Sequence, residues 1–531
     1  MKKCLFPAAV ALSFVAGAAF AAVKPSPMFS DNMVLQRDRE VKIWGTADPG
    51  EPVTVVFDGQ SVRTEADAAG DWEVTLAPMD ASKEDRPLLL KGAANEVTLQ
   101  NVLVGDVWLC SGQSNMEMSF GWGIIGGETF QAEAAGFPII RNMKIRKVIA
   151  NYPQKEAPVE RQWNKASDVW GGVTATGYFF ARKLVQELDV PIGLIDDSWS
   201  GCRIEPFACV EGMKAVEAEH IASRVAGVEA ADPATEAGRA KALETLDAIA
   251  EWVAKTRPVI EAGGRPADAM PAFPSIGHDW TAQYNAMVAP LVRYAIKGAL
   301  WYQGCSNGGE GDEYIDKMEA LILGWRAVWG YDFPFYYVQL ASFMNQSDNP
   351  AGGDGYARIR DAQRKTLARV PKTGMAVTLD IGNGGDIHPK EKLHVGERLA
   401  VWALAKDYGQ DVVFTGPLFK GLEIDGARAI VSFEDDSVGS GLMVGMKNHL
   451  DNDPPIEAPE GTEIEGFAIA GEDRQWQWAT AQIDGDTVIV TSPLVEAPVA
   501  VRYAYRANPL GKCNLYNREG LPASPFRTDD W

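Results

Sequence analysis

The 531-residue chain is too long for one compact core, and at ordinary domain sizes it divides into about three. Its composition is globular, with 46% hydrophobic and 23% charged residues, and its formal charge is −22. Such an acidic surface argues against nucleic acid or an anionic membrane as partner and favours solubility.

Residues 1–21 read as a secretory signal peptide. Lys2 and Lys3 precede an apolar run from Leu5 to Phe20 that ends in Ala19-Phe20-Ala21, a small-x-small cleavage pattern. The run is too short to span a membrane, so the expectation is a secreted or periplasmic protein without membrane insertion. Cys4 stands at the front of the run and not at the cleavage point, which does not suit a lipid anchor. Cleavage removes two lysines and takes the charge from −22 to −24. Five cysteines then remain, of which Cys202 and Cys209 are near enough in sequence to pair in an oxidising compartment.

Residues 22–103 carry alternating apolar positions at Val41-x-Ile43, Val53-x-Val55-x-Phe57 and Trp72-x-Val74-x-Leu76, separated by turn signals such as Asp58-Gly59. Short strands at this spacing predict a small β-sandwich. Nothing in this region suggests catalysis.

From residue 104 to 405, apolar runs alternate with helical segments. Val107–Cys110, Ile192–Ile195, Ile296–Tyr302, Phe335–Leu340 and Met375–Leu379 read as strands buried on both faces, with helices over Gly177–Leu188 and Tyr314–Trp329. That alternation predicts a parallel sheet covered by helices, whose site lies beyond the carboxyl ends of the strands. Residues 211–262, rich in Ala, Glu and Lys, read as a helical insertion without chemistry of its own. Residues 406–531 return to β patterning, at Ala429–Phe433, Thr487–Thr491 and Ala500–Tyr503, with a hairpin signal at Asp484-Gly485.

The expected strand ends carry candidate chemistry. Ser114 follows the first strand in Ser111-Gly112-Gln113-Ser114-Asn115, where a tight turn can lift a hydroxyl clear of the sheet and following amides can face a developing negative charge. The bland alternative is that Ser114 only caps the next helix. Asp197-Ser198-Trp199-Ser200-Gly201 follows the second strand, Gln303-Gly304-Cys305-Ser306-Asn307 the third, and Asp380 and then Asp386-Ile387-His388-Pro389 the fifth. Serine attack on an ester needs a base, a group that orients the base, and oxyanion donors. Of the five histidines, His388 alone stands in a loop after a strand; His220, His278, His394 and His449 fall in helical, pre-strand or C-terminal segments.

Gly112-Gln113-Ser114-Asn115-Met116, Trp301-Tyr302-Gln303-Gly304, and Asp386-Ile387-His388-Pro389 with Lys392, Gly396, Arg398 and Leu399 resemble the motifs of sialate O-acetylesterases, within the SGNH hydrolase superfamily. The resemblance extends from Asp31–Arg37 to Asn514–Ala523, over nearly the whole mature chain. It implies a three-layer α/β/α flavodoxin-like core, acetyl esters of sugars as substrates, and neither metal nor organic cofactor. Residue by residue, it implies Ser114 as nucleophile, His388 as base, and Gly201 and Asn307 as oxyanion donors. Gln113, Gln303 and Cys305 are candidates for substrate contact.

Two positions depart from the family pattern. Cys305 stands where a Glu commonly follows Trp-Tyr-Gln-Gly, and Gly385 stands three residues before His388, where an acid is common. Asp386 is then the nearest candidate for the orienting acid and Asp380 the alternative. The expected function is removal of O-acetyl groups from sialic acids or related sugars. An acetylxylan or other glycan esterase is the alternative, and a non-catalytic glycan-binding protein on the same fold is a third reading.

Overall fold

The computed structural model describes residues 22–531, so the signal-peptide reading of residues 1–21 lies outside the described residues. Seven strands form the central sheet: β1 (Glu96–Gly112), β2 (Ile140–Ile145), β3 (Val159–Lys165), β4 (Ile192–Asp196), β5 (Gly298–Tyr302), β6 (Phe335–Val338) and β7 (Thr373–Ala376). Their spatial order is β3-β2-β4-β1-β5-β6-β7. All neighbours are parallel except the edge strand β3, which runs antiparallel to β2. The five strands expected from the sequence are thus all present, with ends shifted by a few residues, and β2 and β3 are additions. From β1 the chain first fills one side of the sheet and later, from β5, the other. The crevice for a ligand therefore opens at the carboxyl ends beside β1.

Four helices cover this sheet: α1 (Ala175–Leu188), α2 (Glu313–Trp329), α3 (Ala357–Arg369) and α4 (Leu393–Lys406). Register and ring contacts assign them to faces. Trp108 on β1 meets Phe180 of α1 and Tyr336 of β6, and Tyr336 meets Trp402 of α4. Trp301 is aligned with Ser111 and Tyr337, one residue out of phase with that set. It packs on Trp325 of α2, and the Tyr337 hydroxyl donates to the Gln363 carbonyl of α3. Because side chains alternate across a strand, α1 and α4 cover one face and α2 and α3 the other. Each fully buried aromatic removes on the order of 150–250 Å² from water, roughly 4–6 kcal/mol of transfer free energy.

The strand β1 is 17 residues long and serves two sheets. Its first half pairs antiparallel with Ser82–Lys91, and its second half is the centre of the parallel sheet. The backbone leading to Ser114 is therefore braced from outside the central sheet. Elsewhere before β1, Val41–Thr46 pairs with Asp71–Leu76, and Pro52–Phe57 turns at Asp58-Gly59 into Gln60–Glu65 with positive φ at both turn residues.

The insertion between β4 and β5 holds three helices, Val210–Ala215, Glu219–Glu229 and Glu236–Glu261, and the longest leaves Leu243 and Leu246 exposed. After α4, Phe419–Asp425, Arg428–Phe433, Thr487–Thr491 and Thr480–Asp484 form one antiparallel sheet. A second sheet contains Phe467–Gly471 and Pro498–Tyr503. Arg360 of α3 stitches this region to the core by donating to the carbonyls of Leu340, Ala341, Arg506 and Ala507. All five described cysteines are free thiols, so Cys202 and Cys209 do not pair as their spacing suggested. Cys202 instead donates to the Gly112 carbonyl.

Candidate active site

Gly112 ends β1 with φ +123, and a Cβ there would stand 2.4 Å from the Tyr302 carbonyl oxygen. Only glycine lets the chain turn this close to β5. The turn is fixed by Gln113, whose N–H donates to the Tyr302 carbonyl at 2.9 Å and whose Oε1 accepts from Gly304 N–H at 2.9 Å. The chain then enters the short helix Ser114–Glu117. Ser114 does not cap a helix with its side chain: its Oγ lies 2.8 Å from His388 Nε2.

The His388 loop is drawn onto this turn by two side chains. Asn115 donates from Nδ2 to the Ile387 carbonyl at 3.0 Å and accepts at Oδ1 from Lys392 Nζ at 3.1 Å. Lys392 also donates to the Pro389 carbonyl at 2.5 Å. This lysine is fully buried, and burial lowers its pKa to about 7, with Glu391 acting in the opposite sense. His388 is half-buried. Burial pushes its pKa below the ordinary 6.5, Lys392 and Lys390 push the same way, and Asp386 opposes them. The imidazole is therefore neutral at neutral pH, as a general base must be. The edge of Trp122, itself exposed, meets the imidazole at 5.4 Å between centroids.

Asp386 Oδ1 accepts from the His388 backbone N–H at 2.8 Å and stands 3.8 Å from Nδ1. Asp380 is held elsewhere. It is buried in a two-point ion pair with Arg398, at 2.7 Å for each oxygen, and also accepts from the Tyr516 hydroxyl at 3.3 Å. Burial would raise its pKa, but Arg398 outweighs this and holds it below the usual range. Its oxygens are committed to Arg398 of α4 and to Tyr516 of the C-terminal region, and no hydrogen bond joins it to His388 among the described residues. The alternative orienting role for Asp380 is not met.

Gly201 is exposed with φ +74, and its loop is pinned by Glu117, which accepts from Ser200 N–H at 2.7 Å and pairs with Lys147. The N–H groups of Ser114 and Gly201 make no hydrogen bond among the described residues.

The loop after β5 is different. Asn307 is buried, its Nδ2 donates to Glu205 at 3.1 Å and to Glu310 at 3.1 Å, and its Oδ1 accepts from Ile204 N–H and from Gln303 Nε2. Both amide protons are spent on carboxylates, so the side chain has none left for an oxyanion. Gln303 is likewise consumed, donating to the Cys202 carbonyl and accepting from the Tyr314 hydroxyl. Neither meets the expectation of a donor or substrate contact in this geometry. Gln113, also buried, uses its oxygen to hold Gly304. Glu205, which the sequence reading passed over, organises this cluster. Burial raises its pKa, but hydrogen bonds from Arg203 and Lys317 more than offset this and bring it to about 2. Cys305 is half-buried, with its pKa raised by burial to about 11, so it remains a neutral thiol.

Among the described residues, no group of three or more His, Cys, Asp or Glu side chains could hold a metal ion. None of their helices is long and apolar enough to cross a membrane.

Residues 274–405, which include Gln303, Cys305, Asn307 and His388, match the family described as carbohydrate esterase, sialic acid-specific acetylesterase. A crystal structure of a carbohydrate acetylesterase from Xanthomonas citri is 35% identical and superposes with a TM-score of 0.76, covering 96% of this chain and all of that one. The chain belongs to the sialate O-acetylesterase family. It is a carboxylic ester hydrolase. Sialate O-acetylesterase of Mus musculus is 28% identical over 94% of this chain and 93% of the mouse protein. The Homo sapiens enzyme is 27% identical over 94% and 91%. Membership of this esterase family argues against the third expectation, a non-catalytic glycan-binding protein.

Proposed function

We propose that the protein is an exported serine esterase that removes O-acetyl groups from sialic acids or related acetylated sugars. Ser114 is the nucleophile, His388 the base and Asp386 the orienting acid. The observation that carries this reading is the 2.8 Å contact between Ser114 Oγ and His388 Nε2 at the carboxyl edge of the parallel sheet. The strand order, the two helical faces and the family relatives support an SGNH-type core over residues 104–405, with β-rich regions 22–103 and 406–531 on either side.

In the reaction, Ser114 Oγ attacks the acetyl carbonyl carbon as His388 Nε2 takes the hydroxyl proton. The negative charge that forms on the carbonyl oxygen is met by the N–H groups of Ser114 and Gly201. Collapse breaks the bond to the sugar oxygen, which leaves as the alcohol with the proton from Nε2. Water, losing a proton to the same nitrogen, then hydrolyses the acetyl-serine to acetate and free enzyme. Throughout, Nδ1 must carry a proton. Asp386 is the carboxylate that faces it, and a closure of about 0.6 Å brings the pair into hydrogen-bond range.

A second reading keeps this chemistry on another acetylated glycan such as xylan. It is favoured by the Xanthomonas citri relative, which is described only as acting on carbohydrate. Acetate release from O-acetylated mucin against acetylated xylan separates the two. Wild type active on both and Ser114→Ala on neither supports the common chemistry, and the ratio of rates assigns the sugar. Asp386→Asn is expected to lose activity tenfold or more while folded Asp380→Asn retains it; the reverse result moves the acid role to Asp380.

A further inference from the structure

A cavity of about 450 Å³ opens between Cys305 and Ser306 on one wall and Met344, Tyr356 and Arg358 on the other. Both walls are tied to the catalytic loops. The Ser306 hydroxyl donates to the Gly201 carbonyl at 3.1 Å, and Met344 N–H donates to the carbonyl of Gly384, in the loop that leads to His388. Arg358 and Gly353 also line a second cavity of about 380 Å³, which continues to Tyr505, Trp531, Arg502 and Arg527. The two share Gly353 and Arg358 in their linings and so form one path that starts beside the loop after β5. Their volumes suit sugar-sized ligands.

Charge along this path is unlike that of the rest of the chain, whose formal net charge is −22. The carboxylates that line it already have cations: Asp361 is paired with Arg364, Lys365 and Arg527, and Asp312 with Lys365. Arg502 and Arg527 share Asp529. Arg358 is exposed and makes no ion pair or hydrogen bond among the described residues. A guanidinium left unpaired at the junction of two cavities presents a planar fork that matches a carboxylate.

We infer that this path is a subsite for a carboxylate-bearing sugar, with Arg358 holding the carboxylate. The inference rests on the acetylated-glycan reading above and extends it. The esterase acts on anionic glycans, its acid unit being either the acetylated sugar itself or its neighbour. A sialic acid and a uronic acid share this chemistry.

Direct binding tests the subsite apart from hydrolysis. N-acetylneuraminic acid, glucuronic acid and neutral xylobiose are titrated by calorimetry into Ser114→Ala and into Ser114→Ala carrying Arg358→Gln or Arg358→Lys. The expected result is that at least one acid binds more tightly than xylobiose, that Arg358→Gln weakens it tenfold or more, and that Arg358→Lys restores part of the loss. Which acid binds names the source. In turnover by the otherwise wild-type enzyme, Arg358→Gln raises KM for an acetylated acidic sugar at least tenfold more than KM for 4-nitrophenyl acetate. Acids that bind no better than xylobiose, or equal affinities with and without Arg358, overturn the subsite. Failure of wild type to cleave any acetyl ester overturns the catalytic reading and leaves the binding result to stand by itself.

Discussion

The loop after β1 and the loop after β5 sit side by side at one sheet edge and carry similar polar residues, yet they are used differently. Ser114 Oγ is bonded to a histidine that is itself half-exposed. Asn307 and Gln303, one strand away, have their amide groups absorbed by Glu205, Glu310, Tyr314 and neighbouring backbone. Position at the carboxyl edge of a sheet is therefore not enough for a role in chemistry. What decides is whether the polar atoms keep a free valence toward the crevice or spend it on the fold.

The largest separation of the two loops is in rate. Ser114→Ala and His388→Ala are each expected to reduce kcat by roughly a thousandfold or more, with little change in melting temperature. Since the His388 pKa lies below 6.5, the acid limb of the wild-type profile is expected below that pH. A tenth of wild-type activity surviving in Ser114→Ala would remove the serine from the mechanism.

In the neighbouring loop the order of effects reverses. Asn307→Ala strands the buried Oε2 of Glu205 and removes one donor from Glu310, a loss of about 1–3 kcal/mol of stability. Its melting temperature should fall by several degrees while kcat in the folded fraction changes far less than in Ser114→Ala. A variant as stable as wild type but a thousandfold slower would restore Asn307 as an oxyanion donor.

These two loops also mark where the sequence was legible. Apolar runs such as Ile192–Ile195 announce buried strands because every residue in them is apolar or glycine. The strand β2, Ile-Arg-Asn-Met-Lys-Ile, does not, because Arg141 and Asn142 are buried there on partners far away in sequence; Arg141 reaches Asn32. His388 is legible because it is the one histidine in a loop after a strand, and Ser114 because it follows the glycine turn of the first strand in a motif that resembles the family's. Asn307 and Gln303 look equally functional in one dimension, since hydrogen bonds made to Glu205 and to the Cys202 carbonyl, some hundred positions earlier, leave no local trace. Glu205 escaped notice for the same reason.

Lys392 joins the two behaviours, being a buried structural clamp whose charge acts on the base. In Lys392→Met the charge that helps depress His388 is gone, so the acid limb of activity should move to higher pH. Stability gives a second reading. The folded pKa, about 7, is below the unfolded value near 10.5, so the unfolded chain binds more protons between them and wild-type stability rises over that interval. Wild type is therefore expected to gain stability relative to Lys392→Met from pH 7 to 10. Parallel melting curves across that range would mean that the lysine keeps an ordinary pKa.

The smallest effect is expected at Cys305, the position that departs most visibly from the family pattern. With its pKa raised to about 11, the thiol is neutral at neutral pH, where His388 is already an unprotonated base, and a neutral thiol is a weak acceptor that cannot orient an imidazole. The groups that act on it are Tyr356 of the cavity wall, Arg360 of the stitch to the C-terminal region and Lys392, not His388 itself. Cys305→Ser keeps size and donor capacity, so kcat toward 4-nitrophenyl acetate should stay within about twofold of wild type, the range in which free-energy differences are too small to assign a role. Cys305→Glu is the more telling change. It places a carboxylate on the wall opposite Arg358, where it would compete for the guanidinium, and KM for an acidic acetylated sugar should rise while KM for the neutral ester moves less. If Cys305→Ser alone abolishes turnover on both esters in a folded protein, the thiol takes part in the chemistry and the division between the two loops is wrong.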